Sequence, residues 1–372
     1  MSALVAVRAL AVAPPLANVV SNGRLLTGVL IVVAVTGVPA VLPLVRVGYA
    51  ERVAGVGLGV GAAGYALVVL GGVPVIDVWV LLQGAGEGLA AGRNPYELGF
   101  PGSPVGQTHD CFTYLPATML LTAPGVWLGD ARWAELVGLL VAGGVLVWCV
   151  RGRGGARLGV AVLMVLLPGT ARMVQQAWTE TLLLPALVAT AVLADRGRRG
   201  WAAVAFGVAL ATKQHVVLLV PLLLLCRFRF RELAVAAGTA MVLVLPWMLA
   251  DPARFYACTT DFFLRAPAPS TSLSLWLHVP ESWRLPLLVV ALVAGYLLVW
   301  WYCPRSGSGL LVGAAVVFTT FGLVNKQTFL NQWWLVGALM VAGLALAGKT
   351  RAPAAVPIPV AGDQEPCGAP QR

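Results

Sequence analysis

The sequence predicts an all-α, polytopic membrane bundle of about eleven transmembrane helices (ten to twelve), with interfacial helices in its first outer loop. Three observations predict it. Of the 372 residues, 59% are hydrophobic and only 11% are charged, less than half the usual charged share of a soluble domain. The apolar residues fall in long uninterrupted runs. The basic residues fall in short clusters between those runs, as cytoplasmic loops do. A cytosolic enzyme, a secreted disulfide scaffold and a disordered chain are excluded. The net charge of +10 does not signal nucleic acid, because the cations belong to the loops.

The runs lie at 25–45, 53–73, 133–150, 157–170, 179–194, 233–250, 285–302, 309–324 and 330–347. Most can cross ~30 Å of hydrocarbon at ~1.5 Å per residue. The run at 157–170 is short and must borrow flanking residues. The stretch 201–226 is broken by Lys213-Gln214-His215 and flanked at both ends by arginines, Arg196, Arg198 and Arg199 before it and Arg227, Arg229 and Arg231 after it. Both ends belong in the cytoplasm, so two short helices are expected with Lys213 at the far turn, where a lysine needs a partner or water. The stretch 112–128, with Pro116 and Pro124, is expected to dip into the outer leaflet and return.

This path makes eleven crossings and ends inside. Inner segments then hold 15 Lys+Arg and 5 Asp+Glu, outer segments 10 and 10, which accounts for all 25 cations and 15 acids. The expected organisation is an N-terminal segment at 1–24, one membrane domain at 25–349 and a disordered cytoplasmic tail at 350–372. Residues 1–20 lack the basic start of a cleavable signal. The run Gly55-Val56-Gly57-Leu58-Gly59 lies inside a span. It is read as a helix-packing surface and not as a dinucleotide loop.

Polar chemistry collects on the outer side. His109, His215 and His278 map there, with ten of the fifteen acids. The first outer loop, 74–132, opens with Asp77 directly after a span. A carboxylate among apolar neighbours gains strength as a base; the same placement suits an interfacial helix cap or an ion pair. Val78, Leu81, Leu82, Ala85 and Leu89 are at helical spacing, so a surface-lying helix is expected over 78–91, broken at Asn94-Pro95. The second outer loop, 251–284, interleaves Arg254, Arg265 and Arg284 with aromatics, and arginine forks suit phosphate oxygens. Cys111 and Cys258 share the outer face; two free thiols are the simpler expectation, a disulfide the other. No Walker A loop, H-E-x-x-H or G-x-S-x-G is present, and no metal site is indicated.

Asp77, then Gly92-Arg93-Asn94-Pro95-Tyr96, Tyr114-Leu115-Pro116 and Asp130-Ala131-Arg132 together resemble the GT-C glycosyltransferases. Ala211-Thr212-Lys213-Gln214, the loop from Arg265 to Leu275, and Asn325-Lys326-Gln327 through Trp333 are similar to the actinobacterial family 87 branch. The resemblance covers roughly 70–347. It implies an inverting enzyme in the cytoplasmic membrane, with its active site on the extracytoplasmic face. A sugar, mannose in that branch, would pass from a polyprenyl-phosphate-linked donor to a glycolipid, lipoglycan or polysaccharide acceptor, without metal or other cofactor. Asp77 matches the family's base. His109, Asp110, Asn94, Tyr96 and Glu180 are the candidates for sugar or acceptor binding. Lys213, Gln214, Arg265 and Lys326 are the candidates for the lipid phosphate, by electrostatic stabilisation. A secondary transporter or lipid flippase is the alternative; paired broken helices in two similar halves would mark one.

Overall fold

The structure, a computed structural model, describes residues 47–348 apart from 73, 75 and 101–109. The run at 25–45, the N-terminal segment, the tail and His109 lie outside the described residues.

Among the described residues the regular elements are helices. In chain order they are α1 (Val47–Leu70), α2 (Asp77–Ala90), α3 (Pro116–Trp127), α4 (Arg132–Val150), α5 (Gly155–Val165), α6 (Thr170–Gln175), α7 (Glu180–Asp195) and α8 (Arg199–Leu210). There follow α9 (Val220–Leu225), α10 (Phe230–Ala250), α11 (Pro252–Tyr256), α12 (Phe262–Arg265), α13 (Glu281–Tyr302), α14 (Gly307–Val324) and α15 (Leu330–Leu346). Six stretches among them are long and apolar enough to cross a membrane, and α8, α15 and Gln214–Leu225 are shorter apolar helices. The chain is a multi-pass membrane protein.

The short run at 157–170 does borrow its flanks. The span runs over Gly155–Gln175 and breaks between α5 and α6, where Gly169 takes φ +92° after Pro168, which has no N–H to give. The 201–226 stretch folds as two short helices, α8 and then a 3-10 turn, Gln214–Leu219, running into α9. The stretch 112–128, expected to dip into the outer leaflet, holds the short helix α3. Its first turn is anchored on the Lys213 turn, with Ala117 N donating to Ala211 O at 2.9 Å and Thr118 Oγ1 to Thr212 O at 2.7 Å.

The main core joins α1, α4, α5, α7, α8, α14 and α15, while α10 and α13 are largely exposed. Close approach inside the core depends on small residues. A Cβ at Gly138 of α4 would lie 2.7 Å from the carbonyl oxygen of Thr181 on α7, and one at Gly61 would lie 2.7 Å from Leu166. Gly55 and Gly59 face no neighbour, so the glycine run packs on one side only.

A second, smaller core lies under the loops at one end of the bundle and includes Leu81, Leu82, Tyr96, Phe112, Met119 and Phe255. The apolar face expected for 78–91 is the buried face of α2. Cys111 and Cys258 form a disulfide across this core, with Cα atoms 5.9 Å apart. That corrects the expectation of two free thiols. The two segments cover the same aromatic cluster, a proximity that 147 residues of separation conceal. Cys149, Cys226 and Cys303, all at the opposite end, are free.

Gly138→Val should lower stability by about 1–3 kcal/mol, because the new methyl groups meet backbone and not a flexible side chain. A lower Tm of the micelle-solubilised chain would show it; an unchanged Tm would mean that α4 and α7 can separate freely.

Candidate active site

Three helices begin at the loop end, and each offers a polar side chain in its first turn: Glu135 on α4, Glu180 on α7 and Asn331 on α15. Helix N-termini carry partial positive charge, which favours carboxylates there. A fourth element, the turn before Gln214, brings in Lys213. Its Nζ lies 2.5 Å from Glu180 Oε1, which also accepts from Asn331 Nδ2 at 2.8 Å. Glu180 is fully buried and Lys213 is 7% exposed. Thr181 Oγ1 donates to Glu135 Oε2 on the neighbouring helix.

Tyr114 joins this group to the loops. The Lys213 ammonium sits 5.8 Å from its ring centre, and its carbonyl accepts from Tyr96 Oη at 2.7 Å. Burial, and then the carboxylates of Asp77, Glu180 and Glu135, hold the Tyr114 phenol well above its ordinary range, so it stays a neutral donor. The Asp77 carboxylate thus shares the electrostatic field of the buried group. Asp77 is partly buried and opens α2.

The helix that carries Asp77 is held from below. Trp79 Nε1 donates to Asp130 Oδ1 at 3.1 Å, and Asp130 pairs with Arg132 at 2.6 Å. Arg132, 2% exposed, also donates to the carbonyls of Val69 (2.7 Å) and Val68 (3.4 Å) at the end of α1. A cation at a helix C-terminus satisfies the last carbonyls and suits the dipole. One arginine thereby ties α1, α2 and α4 together.

The remaining expected residues divide into groups. Gln214 bridges two segments, donating to Thr259 O at 2.8 Å and Thr113 O at 3.4 Å. Asn94 caps the 3-10 turn Pro95–Glu97, accepting from Tyr96 N at 3.1 Å. Tyr96 is buried, with its ring against Phe112 and Phe255. The Asp110 carboxylate is exposed, while its carbonyl accepts from Arg254 Nη2 at 2.5 Å. Arg265 is 81% exposed and pairs with Asp261 at 2.7 Å. Lys326 Nζ donates to Leu264 O at 3.0 Å, which sets Lys326 beside Arg265. Partial burial lowers the Lys326 ammonium below its ordinary range.

Sequence reasoning missed Glu135 and Asn331. Glu135 carried a usable signal: an acid inside an apolar span is a site candidate by default. Asn331 carried none beyond its place in the Asn325–Trp333 motif. No group of His, Cys, Asp and Glu suited to a metal occurs among the described residues.

A helical membrane bundle with interfacial loop helices and a buried charged group at one end has the architecture of the GT-C proteins. The crystal structure of ArnT from Cupriavidus metallidurans bound to undecaprenyl phosphate superposes with a TM-score of 0.51 at 18% identity, over 77% of this chain and 58% of that one. This chain thus spans just over half the length of that protein. The model of glycosyltransferase family 87 matches residues 112–330, more than half of the chain, and the chain belongs to that family. No curated protein matches it. The matched region contains Glu135, Glu180, Lys213, Arg265 and Lys326; Asp77 precedes it.

Lys213→Met should destabilise the chain by about 3–5 kcal/mol, because it leaves Glu180 buried without its counter-ion. Adding Glu180→Gln should recover part of that loss. Unfolding of the single and double variants in micelles reads the coupling; strictly additive losses would show that the two do not act as a pair.

Proposed function

We propose that the chain transfers a sugar, mannose in the first instance, from a polyprenyl-phosphate-linked donor to a lipid or polysaccharide acceptor at the extracytoplasmic face of the cytoplasmic membrane. The observation that carries this reading is the gathering of Asp77, Tyr114, Glu180, Glu135 and Lys213 at the loop end of a family 87 chain. The similarity to a protein whose structure holds undecaprenyl phosphate supports a polyprenyl-phosphate donor.

In this reading the acceptor hydroxyl attacks the anomeric carbon. Asp77 takes its proton, the bond from the anomeric carbon to the phosphate oxygen breaks, and the lipid phosphate leaves with the electron pair. One displacement inverts the configuration. A phosphate needs little acid help to leave, so electrostatic stabilisation suffices. Lys326 and Arg265, adjacent and reachable, are the cations for it. Lys213, already matched by Glu180, acts by holding the buried group together, with Gln214 fastening the turn beside it. No metal or other cofactor enters the proposed step. Asn94, Tyr96 and Asp110 belong to the loop that frames the acceptor side, and His109, a candidate for the same role, precedes Asp110 in the sequence.

The sidedness rests on two supports. The arginine clusters Arg151/Arg153, Arg196/Arg198/Arg199 and Arg227/Arg229/Arg231 lie at the end opposite the loops, as cytoplasmic charges do. The disulfide lies at the loop end and the free thiols at the other, and disulfides persist in oxidising compartments.

Asp77→Asn should reduce transfer of radiolabelled mannose from polyprenyl-phosphate-mannose to membrane lipid by about 10²–10⁴-fold, at unchanged protein level. Equal transfer by both would remove Asp77 from the chemistry. For sidedness, a cysteine at exposed Glu87 should react with an impermeant maleimide on intact cells, and one at exposed Arg153 only after lysis. The reverse pattern would invert the topology.

A further inference from the structure

Five buried side-chain atoms have no hydrogen-bond partner among the described residues: Glu135 Oε1, Thr179 Oγ1, Glu180 Oε2, Thr328 Oγ1 and Asn331 Oδ1. Buried polar atoms in folded proteins are nearly always bonded, so such a set asks for a ligand. All five are oxygens; Asn331 Oδ1 can only accept, and so can the carboxylates of Glu135 and Glu180 when ionised. The residues that carry them sit on or next to the starts of α4, α7 and α15, which pack together. Glu180 and Asn331 are already joined through Oε1 and Nδ2 at 2.8 Å, so the two side chains border the same point. Thr179 precedes Glu180 in the chain. Glu135 is tied to the same turn through Thr181. Thr328 lies three residues before Asn331, on the loop that also carries Lys326. Asn331 is the least buried residue of the set, with its Oδ1 itself covered.

The sign of the set discriminates between ligands. A phosphate offers only acceptors and negative charge, and would meet carboxylate oxygens here. The ammonium that would suit it, Lys213, is matched by Glu180. A ring with hydroxyls on adjacent carbons offers what is missing, several O–H donors close together. Of the reachable cations, Lys326 lies on the short loop that leads into Asn331, and Arg265 comes from the other loop, next to the Leu264 carbonyl that Lys326 Nζ bonds. A ligand with hydroxyls at one end and a phosphate at the other finds acceptors and cations in that order.

We propose that Glu180 and Asn331 form the sugar-hydroxyl subsite, accepting hydrogen bonds at Oε2 and Oδ1, and that Asn331 is a specificity-determining residue for the donor sugar. Glu135 and Thr328 line the same subsite. The lipid phosphate points away from it, toward Lys326 and Arg265. The proposal rests on the transferase reading and is tested separately from it by binding.

The full chain in nanodiscs is titrated with farnesyl-phosphate-mannose and with farnesyl phosphate. Wild type should bind the sugar-bearing probe about tenfold or more tightly than the bare one, the increment of one or two hydrogen bonds to buried acceptors. Asn331→Ala should weaken the sugar-bearing probe alone and bring the ratio close to one. Thr328→Val, nearly isosteric, is the second variant should Asn331→Ala fail to fold, and it should narrow the ratio in the same direction. A wild-type ratio near one, a ratio untouched by the variants, or equal weakening of both probes overturns the subsite. If the chain makes no glycosidic bond and yet shows the ratio and its loss in Asn331→Ala, the subsite stands and the transferase reading fails. If it transfers sugar while the ratio ignores Asn331, the subsite alone falls.

Discussion

The ion pair between Lys213 and Glu180 is the constraint on which the loop end of the bundle depends. Each ion alone would carry a desolvation cost of several kcal/mol at that depth. Together, and with Asn331 donating to the same oxygen, they are tolerated. The pair holds the turn between α8 and the 3-10 segment against the start of α7. Because α3 hangs from that turn by Ala117 and Thr118, the pair also sets how deeply the interfacial helix sits. The start of α15 is drawn in by the same carboxylate.

Two further fasteners bring the loops to this centre. From one side, Arg132 clamps Asp130 and the last carbonyls of α1, and Asp130 holds Trp79. Asp77, two residues before Trp79, is then placed by α1 and α4 as well as by its own helix. From the other side, the Cys111–Cys258 disulfide and the Arg254 bonds to the Tyr96 and Asp110 carbonyls bind the two loops over a shared aromatic cluster. Tyr114 stands where the two systems meet. A site built on loops alone would be too loose for group transfer, where misplacement by ~1 Å can cost ~10²-fold. Here the Asp77 helix, the Lys213 turn and the start of α3 are each tied to a helix terminus.

The charge distribution separates two kinds of recognition. Deep in the bundle the cations are matched and the surplus is of acceptors. At the rim, Arg265 and Lys326 are reachable. A substrate that joins a polyhydroxy ring to a phosphate has the complementary polarity.

The sequence by itself determined the membrane class, the positions of most helices and the amphipathic face of α2. Those properties are written in local hydrophobicity and period, which neighbouring residues share. It also placed Asp77, Glu180, Lys213, Arg265 and Lys326 at one end, because alternating crossings assign each loop a side. It required that Lys213 have a partner or water, from the cost of a buried ammonium, but could not say which of the two, or which of ten acids on that side. Only the tertiary structure decided that: the partner is Glu180, 33 residues away. The disulfide at a separation of 147 residues, the Glu135–Thr181 contact and the convergence of Asn331 with Glu180 were decided in the same way. Such contacts depend on how helices are rotated and paired. In a chain that is apolar on nearly every helix face, the hydrophobic pattern leaves that rotation open, and a few buried polar groups seeking partners fix it.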